Sequence, residues 1–207
     1  MNMYVLDTAL LRGREEEALS LLSPQRREKA LRLRGESRTR SLAGGLLLRR
    51  YVGDGPFSIG EHGKPSLPGG AAFSLSHSGA LAVLAVSDRE VGADVERVAP
   101  VREALLSRVL TPEERRWASG DPERRFAFLW TRKEAALKYL GCGITRPLRE
   151  FSVLPGEDPV LDGGPVRLHT VEYNGYMISA AGAEDPAFTP LALRAEDLFS
   201  KEDDPWN

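Results

Sequence analysis

The chain has 207 residues, of which 42% are hydrophobic and 28% charged, a composition typical of a globular protein without long disordered segments. Its formal net charge of −2 excludes a general affinity for nucleic acid. The single cysteine, Cys142, excludes an internal disulfide and a thiolate metal cage and favours a cytoplasmic location, and we predict neither a secretion signal nor a membrane span.

In the first half of the chain, hydrophobic periodicity predicts a strand, three helices, a hairpin and a further strand, at residues 4–6, 14–22, 24–34, 36–51, 73–87 and 91–98. The hairpin turns at Gly79 and follows a loop rich in glycine and proline. Residues 12–50 hold eleven Arg or Lys against five Glu. These charges are typical either of solvated helix faces or of a surface that meets a polyanion.

In the second half, Thr111 has the pattern of a helix N-cap, and a longer helix is predicted over 123–140. Three strand-like segments follow, FSVL, VRLHTVEY and YMISAAG, and then a polar tail. Helices, strands, helices and strands in this order indicate an α+β fold with lobes at 1–90 and 91–207. Two pairs of segments repeat a similar layout, 74–88 with 170–184 and 40–53 with 130–143, which favours a duplicated fold.

The strand VGADVERV places two carboxylates on one of its faces. Because side chains alternate along a strand, Asp94 and Glu96 point one way while Val91, Ala93 and Val95 point the other. The two carboxylates could simply face water. They could also present oxygen ligands to Mg²⁺, which proteins hold with one or two carboxylates and substrate phosphates.

The helix FAFLWTRKEAALKYLG aligns Trp130, Glu134 and Lys138 along one side, because they are four residues apart. A surface ion pair between Glu134 and Lys138 would explain this spacing. The flanking residues, however, are apolar around much of the helix, which predicts that it packs inside the fold. A charged pair on a packed helix requires partners.

The hairpin carries Ser76, His77 and Ser78, and Lys64 lies in the preceding loop. The histidine could be an ordinary surface residue, or the group could bind phosphate through charge-assisted hydrogen bonds. A serine hydrolase is excluded locally because Ser76 and His77 are adjacent on a strand and face apart. Three scattered histidines and one cysteine do not form a zinc site.

The ordered set SLSHS, VGADVER and LWTRKEAALKYLGCGI resembles the 4′-phosphopantetheinyl transferases, in particular the larger single-chain type that activates surfactin-like synthetases. That family's strand reads Gly-Ile/Val-Asp-Ile/Val-Glu, and this strand departs from it only at Ala93. The helix pattern Trp-x-x-Lys-Glu-Ala-x-x-Lys is complete, with Lys133 beside Glu134. The GKP run at 63–65 and the basic run LSPQRREKALRL extend the resemblance over about residues 20–154.

The resemblance implies a pseudo-dimer of two similar α/β lobes, with coenzyme A and Mg²⁺ in the cleft between them. It assigns Asp94, Glu96 and Glu134 to the metal, and it makes Asp94, Glu134 and Lys138 the catalytic groups. It places His77 on the pyrophosphate of coenzyme A, which Lys138 also neutralises. The remaining coenzyme A contacts that it implies are Arg26, Lys29, Arg40, Ser41, Lys64 and Ser76.

The reaction implied is transfer of the 4′-phosphopantetheine arm to a serine of an acyl or peptidyl carrier protein by a monomer, without nucleic acid or membrane. Family analogy places the carrier at residues 101–125, where four arginines could steer an acidic partner, namely Arg102, Arg108, Arg115 and Arg116. One alternative is the smaller trimeric synthase-type transferase, which chain length disfavours. Another is a binding module for acidic proteins or nucleic acid that has no chemistry.

Overall fold

The computed structural model describes residues 1–143, 145–162 and 164–199. Of the polar tail predicted after residue 182, only residues 200–207 lie outside the described residues, and the rest contains a strand and a helix that the sequence did not predict. Helices α1 to α7 span Glu15–Leu21, Pro24–Leu31, Gly35–Tyr51, Glu103–Val109, Pro112–Ala118, Pro122–Leu140 and Ala195–Phe199. Strands β1 to β11 span Asn2–Asp7, Ser58–Ile59, Pro65–Ser66, Ala72–Ser78, Leu81–Ser87, Gly92–Arg97, Val160–Leu161, Gly164–Pro165, Arg167–Tyr173, Tyr176–Gly182 and Pro190–Ala192. The described chain therefore mixes helices and strands, which is compatible with the predicted α+β class.

The strands form two main sheets. The first has the order β11-β1-β5-β4, in which β1 is antiparallel to β5 and parallel to β11, and β4 is antiparallel to β5. The second is an antiparallel sheet of order β6-β10-β9. Two short two-stranded ribbons, β2-β3 and β7-β8, lie in the connections.

Each sheet is covered on one face by helices and on the other by the opposite sheet. The first sheet buries Leu6 and Leu84 against α1 to α3, whereas α6 packs on β6 and β10 of the second. Between the sheets, a shared core contains Val5, Val83 and Val95, among other aliphatic side chains. Alternation along the strands produces this arrangement, because neighbouring residues of one strand enter different cores.

Helix ends follow the sequence signals closely. Thr111 caps α5 with a complete capping box, in which its hydroxyl accepts from the Glu114 amide and the Glu114 carboxylate accepts from the Thr111 amide. Helix α6 begins after Asp121, whose side chain accepts from the Arg124 amide. It ends at Gly141, which adopts the left-handed conformation with φ of 68°.

The segment FSVL is not a strand, contrary to the sequence prediction. Its backbone carbonyls are used differently: Phe151 O accepts from Lys133, and Val153 O and Leu154 O accept from Arg132. Hydrogen bonds from two buried cations of α6 thus satisfy the carbonyl groups that would otherwise bind a neighbouring strand. Helix α4, which no sequence signal indicated, fills the connection between β6 and α5.

The last described segment returns to the first sheet. Strand β11 pairs with β1, and Leu198 of α7 enters the core beneath α3. The proposed division of the chain at residue 90 stays a prediction. Among the described residues, no helix combines the length and hydropathy that crossing a lipid bilayer requires.

Candidate active site

Strand β6 presents Asp94 and Glu96 on the side away from the shared core, as its alternation predicted. Val91, Ala93 and Val95 lie in the core between the sheets, whereas Asp94 is buried on the opposite face and Glu96 is half-buried. Buried carboxylates require partners, since desolvation penalises the charged form. The partners come from α6 and β4.

Gly92 lets α6 approach β6 directly. A Cβ atom at this position would lie 2.0 Å from the carbonyl oxygen of Ala135 and 2.4 Å from the backbone nitrogen of Tyr139. No residue with a side chain fits there without displacing backbone. The glycine therefore brings the strand that carries Asp94 against the helix that carries Glu134.

Glu134 is half-buried on α6 and lies within electrostatic reach of both strand carboxylates. Burial, followed by the negative charges of Asp94 and Glu96, raises the pKa of Glu134 to about 7, although Lys138 acts in the opposite direction. Glu134 Oε1 and Asp94 Oδ2 are both buried, and neither has a hydrogen-bond partner among the described residues. Two unpartnered acidic oxygens thus lie on elements that pack against each other, which leaves acceptor capacity for a cation or a donor.

Lys138 lies one helical turn beyond Glu134 and contacts the carboxylate strand. Its Nζ donates to Asp94 Oδ1 at 2.7 Å and to Ser76 Oγ at 2.9 Å, and Ser76 Oγ in turn donates to Asp94 Oδ1 at 2.7 Å. One oxygen of Asp94 is thus fully engaged, while Oδ2 is free of such contacts. The lysine side chain is 31% exposed, so it is accessible from solvent as well as bound to Asp94.

Glu96 accepts a hydrogen bond from the neighbouring strand β4. Ser78 Oγ donates to Glu96 Oε2 at 2.6 Å. Burial raises the pKa of Glu96, and the charge of Asp94 adds to this effect, whereas the Ser78 hydrogen bond opposes it. The side chains of β4 and β6 therefore meet at the carboxylates, and sequence reasoning missed this role of Ser78.

His77 lies on the opposite face of β4 from Ser76 and Ser78, because side chains alternate along a strand. Its side chain is exposed, but protein atoms displace part of its water shell, and this desolvation lowers the pKa of His77. The positive charges of Arg40, Lys138 and Lys29 act in the same direction. The fold thus gathers cations from α2, α3 and α6 around one imidazole, which is the electrostatic footprint of an anion site.

The other basic residues assigned to coenzyme A occupy different settings. Arg26 stacks over the Phe57 ring at 4.9 Å, its Nε is buried without a partner among the described residues, and burial lowers its pKa. Arg40 pairs with Glu36 at 3.1 Å, and Ser41 follows it on α3, half-buried.

Lys64 ties the loop before β4 to the carboxylate strand and the helix. Its Nζ donates to Glu90 Oε2 at 2.7 Å and to the carbonyl oxygens of Val91 and Tyr139 at 3.3 and 3.2 Å. The lysine therefore has local partners in the ligand-free chain. A role in binding coenzyme A stays a prediction.

Two grooves lie on either side of Trp130 and share Leu105 of α4. One, of about 350 Å³, is lined by Glu96, Arg102 and Phe126 and so reaches the carboxylate strand. The other, of about 790 Å³, is lined by Arg108 and by residues 145–149. Of the four arginines predicted to steer a carrier, Arg115 pairs with Glu103 and Arg116 with Glu113, whereas Arg102 and Arg108 line these grooves.

The donor set suits a hard divalent cation. It consists of carboxylate oxygens from Asp94, Glu96 and Glu134, which is the chemistry that Mg²⁺ prefers. The three side chains are not drawn into a compact ready-made cluster, and no such group of acidic, histidine or cysteine side chains occurs in the part of the chain that the structure describes. Lys138 occupies part of the space between them. Mg²⁺ commonly keeps waters and substrate phosphates as ligands, so the residues fit such an ion together with its substrate.

Comparison with known proteins places this site in one family. A family model described as the 4′-phosphopantetheinyl transferase superfamily matches residues 90–172, which include both carboxylate elements. The chain is 32% identical over 168 residues to the 4′-phosphopantetheinyl transferase Sfp of Bacillus subtilis (strain 168), covering 74% of this chain and 75% of that protein. It is 30% identical over 212 aligned residues to the 4′-phosphopantetheinyl transferase ffp of Bacillus subtilis, covering 95% and 92%.

A relative from another genus matches over a shorter stretch. The 4′-phosphopantetheinyl transferase Svp of Streptomyces mobaraensis is 31% identical over 126 residues, which cover 56% of this chain and 51% of that protein. The family match and these relatives agree. The chain belongs to the 4′-phosphopantetheinyl transferases, in the larger single-chain type that includes Sfp, and is an enzyme of that activity.

Proposed function

We propose that the enzyme transfers the 4′-phosphopantetheine arm of coenzyme A to a serine of an acyl or peptidyl carrier protein, depends on Mg²⁺, and releases adenosine 3′,5′-bisphosphate. The observation that carries this proposal is that Asp94 Oδ2 and Glu134 Oε1 are buried without partners on packed elements, and that the ammonium of Lys138 contacts Asp94. Buried acidic oxygens without donors are costly unless a cation binds them. A divalent cation held by Asp94 and Glu134 would satisfy them.

In this proposal Asp94, Glu96 and Glu134 hold Mg²⁺ against the pyrophosphate. Bound Mg²⁺ supplies charge neutralisation to a phosphoryl group that becomes more negative as the reaction proceeds. Lys138 contributes a second positive charge from the same helix, and its contact with Asp94 fixes its direction.

The transfer step forms a bond between the carrier serine oxygen and the β-phosphorus of coenzyme A. The bond from that phosphorus to the bridging oxygen breaks, and adenosine 3′,5′-bisphosphate leaves with the electron pair. The serine proton passes to Glu134, directly or through one water. Glu134 suits this role because it lies on the helix that packs against the strand carboxylates and has a second oxygen, Oε2, besides the buried Oε1 that is assigned to the metal.

The nucleotide half of coenzyme A fits the basic side of the site. His77, Arg40 and Lys29 form a cationic group that suits the pyrophosphate and the 3′-phosphate. Arg26, Ser41, Lys64 and Ser76 complete the coenzyme A contacts in this proposal. Lys64 would exchange Glu90 for a phosphate oxygen when the ligand binds.

The two sheets support a pseudo-dimeric arrangement of lobes, with the reaction at their junction, where β4 and β6 meet. The carrier would dock over residues 101–125, beside the grooves that Arg102 and Arg108 line. Acidic carriers would be attracted to these arginines. We further propose that the enzyme acts as a cytoplasmic monomer.

Incubation with coenzyme A, Mg²⁺ and several apo carrier proteins tests the proposal by intact mass spectrometry. We expect one carrier to gain a single phosphopantetheinyl group, and excess chelator to prevent the gain. Glu134→Gln should abolish the gain, while the matched control Glu184→Gln, an exposed residue paired with Arg89, should behave as wild type. Modification that persists in chelator would refute the metal dependence, and no gain with any carrier would count against this substrate class.

A further inference from the structure

Strands β4 and β6 run side by side in the same direction yet belong to different sheets. Serine hydroxyls join them at every second residue of β4. The Ser74 hydroxyl accepts from the Ala93 amide at 2.9 Å and lies 3.4 Å from the Ala93 carbonyl oxygen, to which it donates. The Ser74 side chain thus makes hydrogen bonds that a neighbouring backbone would make in a continuous sheet. Side chains alternate along a strand, so Ser74, Ser76 and Ser78 all lie on the face of β4 that meets β6.

The other two serines of β4, Ser76 and Ser78, bind carboxylates of β6 instead of its backbone. Ser76 Oγ donates to Asp94 Oδ1, and Ser78 Oγ donates to Glu96 Oε2. The resemblance to the family assigns Ser76 to coenzyme A, but neither the resemblance nor the proposed mechanism gives Ser78 a role. Its hydroxyl lies in the same row and is directed at a metal ligand of the proposed site.

The direction of the Ser78 hydroxyl is fixed by a second contact. The backbone amide of Arg97 donates to Ser78 Oγ at 3.3 Å. Because that amide uses a lone pair of the oxygen, the hydroxyl proton is left to point at Glu96, whose Oε2 accepts it at 2.6 Å. The Arg97 amide, the Ser78 hydroxyl and the Glu96 carboxylate thus form a short chain of hydrogen bonds, in which each group donates to the next.

A glutamate has three side-chain torsions and, when half-buried beside another carboxylate, gains by turning out to water. The Ser78 bond opposes this movement, because it holds one oxygen toward β4. With Oε2 held toward β4, the second oxygen of Glu96 would be available to a cation beside Asp94 and Glu134.

We propose that Ser78 is a positioning residue for the transfer reaction, which orients the Glu96 carboxylate so that its free oxygen faces the metal site. This inference rests on the proposed function, since it concerns a ligand of the proposed Mg²⁺ site. Ser78 does not touch the substrate. It acts through Glu96, as outer partners of metal-bound carboxylates generally do.

The test measures metal affinity separately from turnover, by titrating Mn²⁺ into protein saturated with coenzyme A and following the electron paramagnetic resonance of the free ion. We expect Ser78→Ala to weaken Mn²⁺ binding about 10-fold or more, the range typical of lost outer partners. The same variant should need more Mg²⁺ for half-maximal transfer, with kcat largely recovered at saturating Mg²⁺. Ser78→Thr, which keeps the hydroxyl, should restore the affinity.

Ser87→Ala is the matched control. Ser87 also ends a strand, and its hydroxyl makes the same two kinds of contact, with the Asp88 carboxylate and the Arg89 amide, away from the site. Its Mn²⁺ affinity should equal that of wild type. In a Glu96→Gln background, Ser78→Ala should cause little further loss, because the group through which it acts is already changed.

Two results would overturn the inference, and they differ from each other. Unchanged Mn²⁺ affinity in Ser78→Ala, with only a lower melting temperature, would make Ser78 a structural link between strands and leave the proposed function intact. Failure of the wild-type protein to bind Mn²⁺ with coenzyme A present would overturn the metal site itself, and the positioning role would fall with it.

Discussion

The two sides of helix α6 bury charge in opposite ways. On one side, the Lys133 ammonium donates to Leu148 O, Phe151 O and Glu114 Oε2, so its three protons have three acceptors. On the other side, Glu134 Oε1 and Asp94 Oδ2 are buried and have no donor among the described residues. Lys133 and Glu134, which are adjacent in the sequence, thus belong to two different networks. In the network of Lys133 the ammonium protons all have acceptors, and we call it the saturated network. In the network of Glu134 two buried oxygens lack a donor, and we call it the unsaturated network.

The saturated network is structural. Glu114 also accepts from the amides of Thr111 and Val153, so the pair joins α5, α6 and the segment after Leu148. Nothing in it has capacity left for a ligand. The unsaturated network keeps acceptor capacity and carries like charges that repel each other, which are the properties that the proposed metal site requires. The comparison indicates that hydrogen-bond saturation, more than burial, separates structural from functional charges on this helix.

The largest expected effect is on catalysis at the unsaturated side. Glu134→Gln should lower kcat of transfer by about 1,000-fold or more, since it removes a metal ligand and the proton acceptor together. Stability should not fall, because the change removes repulsion from Asp94 and Glu96. Carrier modification by mass spectrometry and urea denaturation measure the two effects. A variant that is both active and unstable would reverse the comparison.

The next effect is on stability at the saturated side. Lys133→Met should lower the free energy of unfolding by about 3–5 kcal/mol, because it leaves the Glu114 carboxylate buried without its cation. Urea denaturation measures this change. Arg89→Met, which breaks only an exposed pair with Glu184, is the control and should change stability by less than about 1 kcal/mol. Equal losses in the two variants would contradict a structural role for the buried pair.

The contact between the two elements of the site depends on Gly92. Gly92→Ala should cost about 1–3 kcal/mol of stability, because its Cβ would lie 2.0 Å from the Ala135 carbonyl oxygen. Transfer activity should fall as β6 is pushed from α6. Gly164→Ala, where a Cβ meets nothing within 4 Å, serves as the control. A fully active Gly92→Ala enzyme would show that the close approach is not required.

The last expected effect is a pH dependence of the stability of the metal-free protein. Burial raises the pKa of Glu134 from the ordinary 4.5 to about 7, so the folded state holds this proton more tightly than the unfolded state. The resulting stability is fully present below pH 4.5 and is lost as the pH rises through about 7. The urea midpoint should decrease more between pH 5 and pH 7.5 in wild type than in Glu134→Gln. An equal decrease in the two proteins would mean that the pKa of Glu134 is not raised.

The sequence was sufficient to predict the parts of the site that depend on local periodicity. Alternation in VGADVERV correctly separated Asp94 and Glu96 from the valines, and the helix over 123–140 matches α6 closely. Thr111 was correctly identified as a cap because the capping box is encoded within four residues. Each of these signals is contained in one short segment.

Features that depend on distant segments were not predicted. The segment FSVL has the composition of a strand, but cations from α6 bind its carbonyls, so no ladder forms. The run Arg132-Lys133-Glu134 gives no local sign that the two cations are structural and the carboxylate functional. That difference depends on Glu114, Val153 and Asp94, which only the fold brings near.

A crystal structure with Mn²⁺ and coenzyme A would show whether the carboxylates of β6 and α6 bind a metal, because anomalous scattering locates the ion. The unsaturated side of α6 predicts one Mn²⁺ within about 2.2 Å of both Asp94 Oδ2 and Glu134 Oε1, with the pyrophosphate as a further ligand. Coenzyme A bound with no metal peak at these two oxygens, or with both oxygens hydrogen-bonded to protein donors, would contradict the account.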